Sequence, residues 1–379
     1  MNRNCYIIGK SLICSLGNTQ KQITNNIRNL NQGNYEKSLE NKFKEKSFYS
    51  INGFSSKASD RFFSILKVVI DDAIKNASLN KKEKEDLHIF IGSTSMGISI
   101  DEEQSTSLEI ERKNAGYGYI GTFVEEYIQS KHKSLLFSTA CTSSINAFCY
   151  ASKLICHKKI KNAIVIGIEL YNHSTYNGFS SFQLLSKNNI YRPFDYRSDG
   201  IILGEGCSAV ILGDESNHKN NFKYVSSANI CDNYSETTSD PSGKPILDTI
   251  ESSLNNANIK LENIDLIKGH ATGSENNNSS EANAISSLFE KHETKIEVTA
   301  LKSYIGHTLG ASGINELVIL LYCVEDNFVP ACLGFNTSIE GMLFEPIIEH
   351  KNVSNKLTLL LNFVAFGGNN TSLIISNKD

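Results

Sequence analysis

The stretch Leu135-Leu136-Phe137-Ser138-Thr139-Ala140-Cys141-Thr142-Ser143-Ser144 runs from three apolar residues into small ones, with a single cysteine where a strand gives way to a helix. A strand that ends at a helix N-terminus aims its last side chain at unpaired backbone N–H groups, whose positive potential favours thiolate over thiol. Cys141 is therefore a candidate nucleophile. Free cysteine is also among the commonest buried residues, so on its own this thiol reads more readily as a small core side chain.

The elements around that stretch alternate. Short apolar runs at Cys5–Ile8, Leu87–Gly92, Ala163–Gly167, Cys207–Leu212, Ile264–Lys268, Leu357–Phe363 and Thr371–Ser376 read as strands. Helical spacing covers Gln20–Leu30, Asp60–Ala77, the Cys141 segment to about Cys156, Pro245–Ala257, Glu281–Phe289 and Gly310–Val324. Gly9–Thr19 and the polar stretch Asn31–Ser56 read as loops, and Gly213–Lys223 as the joint between two halves. Strands alternating with helices predict an α/β architecture with buried sheets. A residue-level internal repeat is not evident.

With 379 residues, 40% of them hydrophobic, the chain can bury a large core. A formal charge of −4 offers no basic footprint for nucleic acid. No apolar run approaches the roughly 20 residues of a membrane span, and Met1-Asn2-Arg3-Asn4 leads into a short apolar run without a cleavage pattern, which predicts a cytoplasmic protein. Nine scattered cysteines with no C-x-x-C pair argue against a disulfide framework and against zinc.

Two further segments bear on Cys141. One is Ile267-Lys268-Gly269-His270-Ala271-Thr272-Gly273-Ser274, where a strand ends at a histidine in a small polar loop. The other is Leu301-Lys302-Ser303-Tyr304-Ile305-Gly306-His307-Thr308-Leu309-Gly310-Ala311-Ser312-Gly313, with Glu316 downstream. Taken singly, each histidine reads as a surface or core residue; the glycines around both permit close backbone approach to a substrate.

Together the three segments resemble the β-ketoacyl-acyl-carrier-protein synthases, condensing enzymes of thiolase fold. Thr139-Ala140-Cys141-Thr142-Ser143 resembles the family's nucleophile motif, His270 with Thr272 its H-G-T motif, and Lys302 with His307 its lysine–histidine motif. Arg192-Pro193-Phe194-Asp195 through Gly204-Glu205-Gly206, and Phe366-Gly367-Gly368-Asn369-Asn370 near the C-terminus, resemble two more family signatures. The resemblance implies two similar α/β halves packed as a five-layered α-β-α-β-α core. Residues 1–218 would carry the nucleophilic cysteine and residues 219–379 the two histidines.

It also implies a chemistry. Cys141 would take an acyl primer from its carrier, and a malonyl unit would lose carbon dioxide to give an enolate held by His270 and His307. The chain would grow by two carbons, in fatty acid or in polyene or polyketide biosynthesis. Lys302 and Glu316 would support the histidines, Phe366 would gate the site, Phe179 would lie near the acyl pocket, and Thr272 would meet the substrate. No cofactor is implied, since acyl groups arrive on the phosphopantetheine arm of an acyl-carrier protein. The partners implied are that carrier and a second chain, as a homodimer or as a heterodimer with a chain-length-factor-like homologue. Two alternatives stand beside this reading: a non-catalytic chain-length factor, which usually lacks the cysteine, and a degradative thiolase, which uses a second cysteine where this chain has His307. Departures from the family pattern are Ala271 in place of glycine, Asn278 in place of aspartate, Asn369 in place of threonine, and Gln183 where some relatives carry a basic residue.

Overall fold

The computed structural model describes residues 3–30, 40–43, 46–105, 118–216 and 218–378. Ten strands make one sheet: β1 (Tyr6–Cys14), β2 (His88–Gly92), β3 (Leu135–Phe137), β4 (Asn162–Glu169), β5 (Gly206–Gly213), β6 (Lys223–Cys231), β7 (Leu266–Lys268), β8 (Glu297–Thr299), β9 (Thr358–Val364) and β10 (Asn369–Ser376). Their order from edge to edge is β8-β7-β9-β10-β6-β1-β5-β4-β2-β3. Outward from the middle, one side runs β1, β5, β4, β2, β3 and the other β6, β10, β9, β7, β8, which is the same order five strands later. The pair directions repeat as well. In the first half β1–β5 and β5–β4 are antiparallel while β4–β2 and β2–β3 are parallel, and the second half matches pair for pair. The halves join where Tyr6 of β1 meets Lys223 of β6. The duplication thus lies in topology, where no repeat of residues betrays it.

Seven helices of eleven residues or more pack on this sheet among the described residues: α1 (Gln20–Leu30), α2 (Ala58–Asn76), α3 (Gly118–Ile128), α4 (Ser143–Cys156), α5 (Lys244–Ala257), α6 (Glu275–His292) and α7 (Ser312–Glu325). Side-chain alternation along the strands sorts them into layers. Ile164 and Ile166 of β4 face Phe62, Leu66 and Ile70 of α2 and Val124 of α3, whereas Val165 faces the opposite side. There Val165 and Val210 share a cluster with Phe148 of α4, Leu317 and Leu321 of α7, and Leu359, Leu361 and Leu373 of the second half-sheet. Leu360 and Ile374 face outward again, onto Ile250 of α5 and Ile285 of α6. The layers are therefore α2/α3, first half-sheet, α4/α7, second half-sheet, α5/α6. Both faces of each half-sheet are covered, which is why its strands read as continuous apolar runs. Helix α7 lies between the sheets and is buried all round from Ser312 to Val324. No helix of the described residues is long and apolar enough to cross a membrane.

Most expected elements are present, with informative differences. Strand β1 does not stop at Ile8 but pairs with β5 as far as Cys14, past a register break between Ile7 and Gly9. Lys10 hid it: its chain lies along the sheet while its ammonium reaches Glu325 Oε1 at 2.5 Å. Strand β6 also escaped notice, although it is central. Only Ser226–Ala228 of it are buried, and those serines are satisfied internally, Ser226 Oγ donating to the Ser253 carbonyl at 2.6 Å and Ser227 Oγ pairing with the Tyr224 hydroxyl at 2.9 Å. Within the expected loop Asn31–Ser56, residues 31–39, 44 and 45 lie outside the described residues, while Glu40–Phe43 pairs with Lys46–Phe48. Helix α6 begins at Glu275, six residues before Glu281.

One close approach seats the helix that follows Cys141. A Cβ on Gly92, the last residue of β2, would stand 2.2 Å from Ser144 Cα and 2.3 Å from Ser144 N. Only a bare backbone lets the first turn of α4 rest on the strand. Gly92→Ala must therefore push α4 away, and an overpacked contact against backbone costs about 3 kcal/mol. Urea unfolding of the variant should show that loss, together with slower alkylation of Cys141.

Candidate active site

Cys141 precedes α4 by two residues and is 5% exposed. Ala140 before it takes a left-handed φ of 50°, which turns the chain sharply out of β3 and lifts the thiol toward the second half. The turn consumes the donors expected to favour thiolate. Thr142 N–H donates to the Thr139 carbonyl at 3.3 Å and Ser143 N–H to the Ala140 carbonyl at 3.1 Å. Burial then dominates and pushes the Cys141 thiol up to about 12, against the lowering effect of the Lys302 ammonium and the backbone N–H groups of Phe366 and Cys141. The expectation of a helix-stabilised thiolate is corrected: burial outweighs the helix end, and the resting group is a thiol.

Beside it stands His307, whose Nε2 lies 3.1 Å from Cys141 Sγ. Its Nδ1 meets Ser312 Oγ at 2.9 Å, at the start of α7. The loop carrying it is pinned from the first half, where Glu169 Oε2 at the end of β4 accepts the Gly310 N–H at 2.9 Å. Ser144 Oγ of α4 accepts the Ile314 N–H at 3.2 Å, so the helix behind the cysteine caps the helix behind the histidine.

His270 follows β7, and its ring meets that of His307 edge to face at 5.4 Å between centroids. Lys302 Nζ is 3.0 Å from His270 Nδ1, 2.7 Å from the His270 carbonyl oxygen and 2.6 Å from Glu316 Oε1. An ammonium has three donors and no acceptor, so His270 Nδ1 accepts and the ring proton sits on Nε2. Burial first, and the positive charge of Lys302 next, hold both imidazoles well below their ordinary range, so both are neutral near pH 7. The loop after β7 is tied by Glu281, whose oxygens accept the His270 and Ala271 N–H groups at 2.7 Å each and the Asn362 amide at 2.6 Å.

A cavity of about 630 Å³ reaches Cys141, His270 and His307 past Phe366, Thr272 and the exposed Gln183. Phe366 stacks on Phe179 with centroids 5.9 Å apart, which brings the expected gate and the expected acyl-side residue into one pair. Gly368 (φ 78°) makes the turn behind Phe366, where a Cβ would stand 1.7 Å from the Asp232 carbonyl oxygen. Thr272 Oγ1 lies 3.0 Å from Asn277 Oδ1 at the cavity wall. Asn278 does not face Lys302: its amide donates to Ser198 Oγ at 2.6 Å and to the Arg192 carbonyl at 3.1 Å. The missing carboxylate there leaves the lysine's charge balance untouched. Cys323 and Cys332 are buried in the core and line no part of this cavity.

Sequence reasoning assigned no role to Lys268, Ser312, Glu169 or Glu281. Lys268 is fully buried, and its Nζ sits 2.6 Å from Glu316 Oε2, so one carboxylate serves two lysines. A lysine or glutamate closing an apolar strand was the available signal, since such charges are rarely buried unless paired. The ligand atoms of Cys141, His270 and His307 lie within 4.8 Å of one another, a spacing that would admit a metal ion. The two buried ammonium groups beside them oppose a further divalent charge.

The comparisons with known proteins agree with this geometry. The model of the β-ketoacyl synthase N-terminal domain matches residues 7–218, and that of the β-ketoacyl synthase C-terminal domain matches residues 223–336. The chain belongs to the β-ketoacyl synthase family. It is 30% identical over 258 residues to 3-oxoacyl-[acyl-carrier-protein] synthase 2 of Coxiella burnetii, covering 65% of this chain and 62% of that one. With the synthase of the same name from Synechocystis it shares 27% over 344 residues, 84% of this chain and 82% of the other. Among solved structures, the ketosynthase ApeO in complex with its chain length factor ApeC from Xenorhabdus doucetiae superposes with a TM-score of 0.83 at 21% identity, covering 99% of this chain and 98% of that one. The ishigamide ketosynthase/chain length factor gives 0.85 at 18%, with full coverage of both. The thiolase-like fold expected from the sequence is thus the fold this chain has.

Two measurements follow from the electrostatics. Because burial holds the Cys141 thiol up at about 12, its alkylation by iodoacetamide should rise about tenfold per pH unit from pH 7 to 10 without a plateau. A plateau near the ordinary thiol range would contradict the assignment. Glu316→Leu leaves Lys268 and Lys302 facing each other uncompensated, and should cost about 4 kcal/mol in urea unfolding.

Proposed function

We propose that this chain is a β-ketoacyl-acyl-carrier-protein synthase that condenses malonyl units with an acyl primer held on Cys141. The observation that carries the reading is a buried thiol 3.1 Å from one neutral imidazole and beside a second, both reached by one cavity. The Cys141 sulfur attacks the primer thioester, its proton leaves with the departing carrier thiol, and an acyl-enzyme forms. The malonyl thioester then loses carbon dioxide, and the enolate oxygen takes hydrogen bonds from the Nε2–H groups of His270 and His307. The enolate carbon attacks the acyl carbonyl. Backbone N–H groups of Cys141 and Phe366, which already point at the sulfur, receive the tetrahedral oxyanion before the thiolate leaves. Phe366 and Phe179 separate the malonyl side from the acyl side.

A second chain belongs to the same proposal. Strand β3 ends the sheet, Leu135 on it is 47% exposed and Tyr150 of the adjoining helix is also 47% exposed, so the strand that leads to Cys141 offers an open edge. We assign the carrier as an acyl-carrier protein and the second chain as another copy or a chain-length-factor-like homologue, which the solved ketosynthase–chain length factor pairs support by analogy of fold. The product assigned is a fatty acid, polyene or polyketide chain, in keeping with the 3-oxoacyl-[acyl-carrier-protein] synthases among the relatives. Retention of Cys141 favours the catalytic half of such a pair over the non-catalytic one, and the buried positions of Cys323 and Cys332 disfavour a thiolase. All nine cysteines are free, in keeping with a reducing cytoplasm.

Intact-protein mass spectrometry after exposure to an acyl-carrier panel should show one acyl mass added to the wild type and none to Cys141→Ala. His270→Ala should slow condensation by about a hundredfold or more while acylation persists. Condensation by Cys141→Ala at the wild-type rate would end the proposal.

A further inference from the structure

The buried cation that this chemistry leaves unused is Lys268. It closes β7 two residues before His270, and nothing in the mechanism touches it. Its ammonium lies 2.6 Å from Glu316 Oε2 and 3.7 Å from the centroid of the Phe363 ring on β9. Glu316 Oε1 holds Lys302 at the same 2.6 Å, and Lys302 holds His270 Nδ1. The four groups form a line in which the carboxylate divides one negative charge between two positive ones. On the assumption that the site condenses malonyl units as proposed above, we propose that Lys268 is a positioning residue that shares Glu316 with Lys302, and so keeps His270 a neutral Nε2–H donor in a positive field.

With Lys268 charged, Glu316 cannot neutralise Lys302 fully. The residual positive charge opposes protonation of both imidazoles, and Lys268 contributes directly to lowering each. The same field favours the developing enolate. Once Lys268 is neutral, Glu316 pairs with Lys302 alone and the field at the histidines collapses. The charged and titratable groups facing Lys268 are Glu316 from α7, Lys302 ahead of it, Glu281 from α6 and the two histidines; Glu281 is already engaged by two backbone N–H groups and the Asn362 amide. Burial first, then Lys302, lower Lys268 to about 8 against the raising effects of Glu316 and Glu281. A lysine so lowered loses its charge as pH rises through about 8, so malonyl decarboxylation should decline there.

The test is carbon dioxide release from malonyl carrier across about pH 6.5 to 9.5 by wild type, Lys268→Met and Lys268→Arg. Wild type should show an alkaline limb near pH 8. Lys268→Met should be slower by about tenfold on the plateau and lack the limb, as one unit of lost differential interaction implies. Lys268→Arg keeps a charge that does not titrate, so it should hold the plateau and lose the limb, and it decides the matter even where the methionine variant unfolds. A methionine variant with the wild-type rate and limb, or an arginine variant that still declines near pH 8, overturns the assignment. Wild type that releases no carbon dioxide overturns both it and the condensing reading, which keeps the two failures distinct.

Discussion

One carboxylate holds this site together. Glu316 sits on a helix buried on every side, and each of its oxygens takes a lysine ammonium at 2.6 Å, with all three side chains buried. Such a charge cannot stand alone in the interior, so the helix, the strand that brings Lys268 and the loop that brings Lys302 are locked in mutual register. His270 inherits its tautomer from that lock, because Lys302 can only donate. The neutral donor that faces the cavity is thus set from behind the ring, by Lys302 at 3.0 Å from Nδ1 and the ion cluster that holds it.

The doubled topology explains why the parts meet. Each half-sheet repeats the order 1-5-4-2-3, and the first turns of the two helices between the halves, α4 and α7, are in contact. One start carries Cys141 and the other follows His307, with Ser144 and Ile314 hydrogen-bonded between them. Chemistry thus gathers where the inner helices begin. A contact that loosens α4 or α7 should be felt at the sulfur even when it lies far from it in sequence.

The resting thiol shows how a local rule yields to its surroundings. A cysteine before a helix is ordinarily lowered by free N–H groups, yet here the Thr142 and Ser143 donors are spent on the turn at Ala140 and burial prevails. Reactivity must then come from His307 at 3.1 Å and from the backbone donors of Phe366 and Cys141. In these surroundings Cys141 rests protonated.

The sequence by itself determined the α/β class, the helices Gln20–Leu30 and Ala58–Asn76 almost to the residue, and the three segments that would converge, because apolar periodicity and local residue types carry that information along the chain. It could not reveal β6, whose Ser226 is satisfied by the helix packed on it, nor the far end of β1, where Lys10 finds Glu325 across 315 positions. Nor could it assign Lys268. A lysine at a strand end reads as solvated until tertiary structure buries it against a carboxylate 48 residues away. Charge state, tautomer and shared counter-ions are properties of distances between distant residues, and only the packed fold decides those.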